Sequence, residues 1–181
     1  MSNLNKHPWT AGNLSITTSA LSYLEQHAIN DYPNECCGYI SGPSDDPAKL
    51  AVAVAMENLA VQSDSAPGLP LGRTARDYFV MNSLELSRAI DAGEAADQPV
   101  KVIYHSHPNG KGAYFSSEDR LMFGEGKELS VPVSFIVIGV GTKEEAESLT
   151  PVVLETKLWV FNALTKTFDE SRLEIVNNEP I

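Results

Sequence analysis

Basic residues are scarce in this sequence. Its 181 residues include 13 lysines and arginines against 24 aspartates and glutamates, which gives a formal net charge of −11 at pH 7. Proteins that bind nucleic acid or an anionic membrane surface need a basic footprint, and this composition does not supply one. We therefore expect no nucleic acid partner. A protein partner with a basic or mixed-charge surface is the better match.

Long apolar runs are also missing. No stretch approaches the roughly 20 apolar residues that a membrane-spanning helix needs. The first 13 residues, MSNLNKHPWTAGN, lack the apolar core of a signal peptide. We therefore expect no membrane partner and a cytoplasmic location. A content of 43% hydrophobic and 20% charged residues is typical of a globular protein, and a chain of this length predicts one domain with its own core.

Cysteine is limited to the adjacent pair Cys36 and Cys37. Neighbouring cysteines rarely form a disulfide because the bridge would be strained, so no oxidised framework is expected. Their spacing is not that of a Cys-x-x-Cys zinc site, and the Pro-Cys-x-x-Cys segment of zinc deaminases is absent. We interpret both cysteines as small, buried residues at the entry to a strand.

Histidine occurs four times, and His105 and His107 lie two residues apart at the end of the apolar run Val100–Tyr104. The run predicts a buried strand, on which residues i and i+2 point to the same face. Ser116 is a predicted helix N-cap, which places Asp119 in the first turn, facing back toward the imidazoles. A single histidine here would more often be a hydrogen-bonded strand residue. Two imidazoles and a carboxylate instead leave one tetrahedral position open, as catalytic zinc sites do.

With these motifs in this order, the sequence resembles the JAMM (MPN-plus, Mov34-type) zinc metalloproteases, and most of all their compact bacterial members. The resemblance rests on His-Ser-His-Pro at 105–108, on Ser116-x-x-Asp119, and on the upstream segment Pro33-Asn34-Glu35-Cys36-Cys37-Gly38, which matches Pro-x-Glu-x-x-Gly. It covers Leu14–Val140. The loop at 108–115 has eight residues, one more than is usual in the family.

The resemblance implies a division of roles within the site. His105, His107 and Asp119 would bind one zinc ion per chain, and Glu35 would act as general acid and base without binding the metal. Ser116 would donate a hydrogen bond to the developing oxyanion. A second metal site is not expected, since the chain has no spare cysteine and only His7 and His27 remain.

The resemblance also implies the fold, an α/β class single MPN (JAB) domain with a mixed twisted sheet flanked by helices, related in architecture to the zinc deaminases. We expect a loose N-terminal tail over 1–13, the domain over 14–176 and a C-terminal tail over 177–181. Periodicity predicts helices at 18–31, 82–93 and 117–129, strands at 14–17, 38–41, 50–56, 77–81, 100–104 and 131–140, and a hairpin at 152–161 and 168–176. A mobile loop is predicted at 61–75 and a charged turn at 142–150.

The function implied by the resemblance is zinc-dependent hydrolysis of the bond after the C-terminal Gly-Gly of a ubiquitin-like or sulfur-carrier protein. A phage-tail-type peptidase is an alternative, but such proteins often carry a second peptidase domain, for which this chain has no room. A non-catalytic MPN scaffold is another alternative, but scaffolds of that kind have usually lost metal ligands. A RadC-like module associated with DNA repair is disfavoured by the acidic charge.

Overall fold

The computed structural model describes residues 6–62, 66–145 and 148–178, which contain nine strands and three α-helices. The elements in chain order are β1 (Leu14–Thr17), α1 (Thr18–Asp31), β2 (Cys37–Ser41), β3 (Lys49–Leu50), β4 (Val52–Met56), α2 (Ser83–Ala95), β5 (Val100–His107), α3 (Ser117–Phe123), β6 (Ser134–Glu145), β7 (Ser148–Asn162), β8 (Thr167–Ser171) and β9 (Leu173–Val176). Within those three ranges no helix combines the length and the apolar character needed to cross a membrane.

The strands form two sheets. The larger is six-stranded in the order β4-β2-β5-β6-β7-β8 and the smaller is three-stranded in the order β3-β1-β9. In the larger sheet β5 pairs parallel with β6 and antiparallel with β2, and the other neighbours are antiparallel. This confirms the α/β class and the mixed sheet flanked by helices.

Strand β5 lies near the middle of the larger sheet, and all eight of its residues are buried. Val102 and Tyr104 belong to the core cluster on the side of α1, whereas Ile103 belongs to the opposite cluster with Phe79 and Phe123. Side chains alternate between the faces of a strand. Positions 105 and 107 continue the series of Ile103 and therefore share its face, opposite α1.

The helices begin where polar residues cap their free amides. The Asn82 side chain accepts hydrogen bonds from two backbone amides at the start of α2, as N-caps do. Helix α3 ends early because Gly124 adopts φ +119°, a left-handed conformation that glycine tolerates, and its N–H donates to Arg120 O at 3.0 Å. The predicted helix over 117–129 is therefore wrong beyond Phe123.

The prediction of a loose tail over 1–13 is wrong for Pro8–Ala11, which forms a 3₁₀ helix. Trp9 is only 7% exposed. Its indole donates to Pro132 O at 2.9 Å, and Ser134 Oγ donates to Trp9 O at 2.8 Å. These contacts place the tryptophan in the core, and residues 1–5 lie outside the described residues. At the other end Asn178 accepts a hydrogen bond from Ser19 Oγ at 3.0 Å, and residues 179–181 are not described.

Three further predictions differ from the structure. Residues 77–81 form no strand: Asp77 lies in a turn, and residues 78–81 have no regular secondary structure. The turn predicted at 142–150 is instead the end of the long β6–β7 hairpin, of which residues 146 and 147 are not described. The strand predicted at 168–176 is interrupted at Arg172, after which β9 joins the smaller sheet. The predicted loop at 61–75 contains no strand or helix beyond a short 3₁₀ turn over its described part, and residues 63–65 lie outside it.

Candidate metal centre

Three side chains from two elements converge beside the larger sheet. His105 and His107 come from the end of β5, and Asp119 comes from the first turn of α3. Their ligand atoms all lie within 4.8 Å of one another. The three residues are 0%, 3% and 4% exposed, respectively. The structure thus brings together the three residues that the motifs single out as metal ligands.

The atoms of this group face one another in a way that favours a bound cation. His105 Nε2 lies 3.2 Å from Asp119 Oδ1 and 3.2 Å from His107 Nε2, which is itself 3.3 Å from Asp119 Oδ2. Two neutral imidazoles in this arrangement cannot both direct a lone pair at the centre without a positive charge between them. A buried carboxylate also requires a compensating charge. A metal ion would satisfy all three groups at once, so the donor set fits one.

Protonation in this cluster follows from burial and from charge. Burial acts to raise the pKa of Asp119, but the neighbouring His105 and hydrogen bonds with both imidazoles hold that pKa far below its usual range. Burial lowers the pKa of His107. Asp119 is therefore an anion and His107 favours the neutral form, and these are the protonation states in which the two side chains bind metals.

Asp119 is oriented by the start of α3. The Ser116 hydroxyl and the Ser116 N–H both donate to Asp119 Oδ2, at 2.7 and 2.8 Å, and Asp119 N–H donates to Ser116 Oγ at 3.1 Å. This is a capping box, which supplies hydrogen-bond acceptors to backbone amides at the start of the helix. The Ser116 hydroxyl thus holds the Asp119 carboxylate in place. Its predicted role as an oxyanion donor stays a prediction.

The loop at 108–115 folds back closely over the sheet. Ala113 N–H donates to Glu155 Oε1 at 2.8 Å, and Trp159 Nε1 donates to Ala113 O at 3.0 Å. A Cβ on Gly139 would lie only 2.4 Å from the carbonyl carbon of Gly112, so the loop backbone rests directly on that glycine. The loop is one residue longer than is usual in the family that the sequence resembles, and Ser116 at its end still lies beside Asp119.

Glu35 lies on the turn before β2, as predicted, and is 5% exposed. Its Oε1 is 3.9 Å from His107 Nε2, beside the convergent group but not part of it. Burial raises the pKa of the Glu35 carboxyl well above its ordinary value, and the nearby Asp119 carboxylate raises it further. A carboxyl with a raised pKa beside a metal can take up and release a proton near neutral pH.

Cys36, the residue after Glu35, connects this turn to β5, the strand that carries His105 and His107. Cys36 N–H donates to Ser106 Oγ at 2.8 Å, and Ser106 N–H donates to Cys36 O at 3.1 Å. Cys36 and Cys37 are both free and buried, which confirms their predicted role as small interior residues. Burial raises the pKa of the Cys36 thiol to about 12, so the thiol is not a nucleophile at neutral pH.

Several neighbours of the site escaped the sequence analysis. The Phe79 ring stacks on the His105 imidazole, and the two ring centroids are 4.7 Å apart. The ring centroids of Tyr114 and His107 are 4.5 Å apart. Asn58, 3% exposed, donates to the backbone of Glu35. The available signal for Asn58 was a polar residue two positions after the apolar strand β4. The sequence predicts a strand around Phe79, and the position of its ring depends on the tertiary fold.

Arg73 connects the loop before Phe79 to the start of α3. Its guanidinium contacts the carboxylate of Glu118 and donates to Asp77 Oδ2 at 3.0 Å. The Arg73 and Glu118 side chains are 33% and 34% exposed. This ion pair lies at the surface, at the residue before Asp119, and connects the loop to the helix.

Comparison with known proteins supplies the family. A family model described as prokaryotic homologues of the JAB domain matches residues 17–152. Similar solved structures include a protein from Desulfitobacterium hafniense, with TM-score 0.60 and 20% identity over 93% of this chain and 94% of that one. A Salinibacter ruber protein has TM-score 0.54 and 17% identity over 90% and 92%. A JAB1/MPN domain protein from Archaeoglobus fulgidus has TM-score 0.48 and 16% identity over 90% and 97%.

At these identities the two likenesses with TM-scores above 0.5 show the fold alone. A search of curated proteins gives no significant match. The family model, however, spans well over half of the 181 residues, and the matched region contains Glu35, both histidines of β5 and Asp119. The chain therefore belongs to the prokaryotic homologues of the JAB domain and has the JAB/MPN fold that its motifs predicted.

Proposed function

We propose that this protein is a zinc metallopeptidase of the JAMM type. Its substrate is the bond after the C-terminal Gly-Gly of a ubiquitin-like or sulfur-carrier protein. The observation that carries the proposal is the convergence of three ligand atoms within 4.8 Å, with a carboxyl oxygen of Glu35 3.9 Å from one of them. A non-catalytic member of the family would not need a protonatable acid beside the ligands.

The donor set of two imidazoles and one carboxylate supports zinc as the metal, with one ion per chain. His105, His107 and Asp119 would hold it, leaving one position for water or substrate. When bound, zinc makes hydroxide available at neutral pH and polarises the scissile carbonyl. Ser116 contributes by fixing the orientation of the Asp119 carboxylate.

Glu35 moves the proton in this proposal. Its carboxylate accepts a proton from the attacking water and passes it to the departing amine, which would otherwise be a poor leaving group. The raised pKa of the carboxyl supports this role because the group must be able to hold the proton between the two steps. The backbone contacts of Glu35 keep it close to His107 but outside the ligand group.

The enclosure of the site supports glycine before the scissile bond. Phe79 and Tyr114 cover the two imidazoles, and Glu35, His107 and Asp119 are each no more than 5% exposed. A substrate backbone must therefore come close to buried side chains, and a Cβ at that point would clash. An extended Gly-Gly tail meets this requirement.

The charge of the protein supports a protein substrate with a basic surface. The net charge of −11 raises the encounter rate with such a partner. A cytoplasmic location and the absence of nucleic acid and membrane partners belong to the same proposal. They rest on the composition described above.

The test uses ubiquitin-fold proteins extended by a short peptide after their terminal Gly-Gly. Each is mixed with the zinc-loaded protein, and the products are measured by intact-mass spectrometry. We expect a product that ends in Gly-Gly and little cleavage of an unstructured peptide of the same tail sequence. A substrate whose last glycine is replaced by alanine is expected to react at least about tenfold more slowly.

The control for this test is the Glu35→Gln protein loaded with zinc, which should cleave every substrate at least about 10²-fold more slowly. Equal rates for the glycine and alanine substrates would contradict the proposed substrate class. Absence of cleavage of any extended ubiquitin-fold protein by the zinc-loaded protein would favour the non-catalytic alternative.

A further inference from the structure

Asn58 uses the full hydrogen-bonding capacity of its side chain. Its Nδ2 donates to Glu35 O at 2.9 Å and to Tyr78 O at 3.2 Å. Its Oδ1 accepts from Ala60 N and Val80 N, each at 3.0 Å. A side-chain amide has two donors and two acceptor positions. All four partners are backbone groups, so the orientation of the amide is unambiguous.

Three of these four bonds join Asn58 to two other segments of the chain, and the bond from Ala60 N is local. One segment is the turn that carries Glu35, and the other is 78–80. Phe79 lies in the middle of that segment, and its ring stacks on His105 with an interplanar angle of 24°. Leu59 N–H also donates to Val80 O at 2.9 Å. One buried amide therefore sets the backbone on two sides of the metal centre.

Glu35 is restrained at both of its backbone polar groups. Its N–H donates to Ala75 O at 2.6 Å, and its C=O accepts from Asn58. The following residue, Cys36, is bonded twice to Ser106 in the strand that carries the histidines. The position of the Glu35 carboxyl, 3.9 Å from His107 Nε2, depends on this backbone being fixed.

We propose that Asn58 is a positioning residue, which holds Glu35 and Phe79 in register with the metal ligands. It acts through Glu35 and does not touch the substrate. Its catalytic consequence rests on the proposed function, whereas its geometric consequence does not. If Asn58 served only as the cap of the short 3₁₀ helix Leu59–Val61, its substitution would lower the stability of the protein and leave Glu35 in place.

Asn82 offers a matched control. It caps α2, and its Oδ1 accepts from Leu84 N at 3.1 Å and Glu85 N at 3.2 Å. Asn58→Ala and Asn82→Ala therefore each remove an asparagine whose Oδ1 accepts from two backbone amides, although for Asn58 one of them, Val80 N, lies in a distant segment. Only Asn58→Ala also removes the two donors that reach Glu35 and Tyr78. Comparison of the two variants separates positioning from capping.

The first measurement does not depend on activity. Crystal structures of the metal-free proteins are compared for the separation of Glu35 Oε1 and His107 Nε2, which is 3.9 Å here. We expect this distance to increase by about 1 Å or more in Asn58→Ala, which is a displacement large enough to disturb catalysis. In Asn82→Ala the distance should stay unchanged. Amide hydrogen exchange at Val80 should accelerate only in Asn58→Ala.

The second measurement is kinetic, with zinc-loaded protein and ubiquitin that carries a short peptide after its Gly-Gly. We expect Asn58→Ala to lower kcat by about 10²-fold with little change in KM or zinc content. Asn82→Ala should keep the kcat of the unsubstituted protein. In the Glu35→Gln background Asn58→Ala should cost far less than the about 10²-fold expected in the unsubstituted protein, because the effect of Asn58 on catalysis passes mainly through Glu35.

A folded Asn58→Ala protein with Glu35 in place and an unchanged kcat would overturn the inference. If Asn58→Ala does not fold, Asn58→Ser takes its place in the same comparisons, because it retains a hydroxyl that can cap and loses both amide N–H donors. If the unsubstituted zinc-loaded protein does not cleave the ubiquitin probe, the proposed function fails. The crystallographic comparison then decides the role of Asn58 by itself.

Discussion

Gly139 lies opposite His107 in the β5–β6 register and directly beneath the loop 108–115. In Gly139→Ala the new methyl group would lie 2.4 Å from the carbonyl carbon of Gly112 and 2.7 Å from Ala113 N, whereas ordinary contacts begin near 3.4 Å. All of these neighbours are backbone atoms. The loop must therefore withdraw from the sheet by about 1 Å, because no side-chain rotation can relieve the overlap.

A withdrawal of that size breaks the bonds that hold the loop. The bonds from Ala113 N to Glu155 Oε1 at 2.8 Å and from Trp159 Nε1 to Ala113 O at 3.0 Å would both exceed hydrogen-bonding range. One involves a carboxylate and the other is neutral, so their loss costs about 2–4 kcal/mol together. For a domain of this size Tm should fall by roughly 4–12 °C. Affinity for zinc should fall about tenfold or more, since the loop connects His107 to Ser116.

Gly141→Ala is the matched control on the same strand. Its new methyl group would meet Leu154 Cδ1 at 3.0 Å and Cδ2 at 3.2 Å. Leu154 is 49% exposed, so the end of its side chain can turn away and the cost should stay within about 0.5 kcal/mol. Thermal denaturation and zinc titration of both variants form the assay. Equal Tm and equal zinc affinity for the two variants would refute the close packing of the loop on Gly139.

Two further predictions concern the metal centre itself. Protein purified without chelator should contain about one zinc per chain by elemental analysis, and His107→Ala should lose it, because two ligands cannot retain the ion. A zinc content that is substoichiometric and unchanged in His107→Ala would exclude this site. Glu35→Gln should lower the rate of hydrolysis by about 10²–10⁴-fold while zinc content and Tm persist. Loss of zinc in that variant would mean that Glu35 is a ligand.

The three ligand positions could be predicted from the sequence because the relevant geometry is local. Residues two apart on a strand share a face, which places His105 beside His107. A serine followed three residues later by an acid predicts a capped helix start, which fixes Asp119 relative to Ser116. Only the meeting of these two units needed the fold, and the resemblance to a known family supplied that fold.

The remainder of the site depends on contacts between distant parts of the chain. Asn58 reaches Glu35, 23 residues earlier, and Val80, 22 residues later, and no local pattern encodes either contact. The apolar residues Phe79 and Met81 gave a false strand signal. Their burial comes from the aromatic cluster beside His105 and the surroundings of α2, whereas the backbone of Val80 bonds to Asn58 instead of a strand.

The burial of Trp9 near the beginning of the chain likewise could not be predicted from the local sequence. Its indole bonds to Pro132, 123 residues away, so a window of neighbouring sequence shows only a polar segment with one aromatic residue. The split of the predicted last strand at Arg172 has a similar cause. Residues 173–176 leave the larger sheet because β1 offers a parallel edge on the other side of the core.

The pairing of β1 with β9 has a consequence for how the protein is made. Leu14 and Ile16, 2% and 0% exposed, lie between a two-residue strand and residues 173–176. A nascent chain in which His105, His107 and Asp119 have already left the ribosome therefore still lacks the strand that closes this smaller sheet. Because contacts of such long sequence separation form late, the domain completes its folding only when its final strand has left the ribosome.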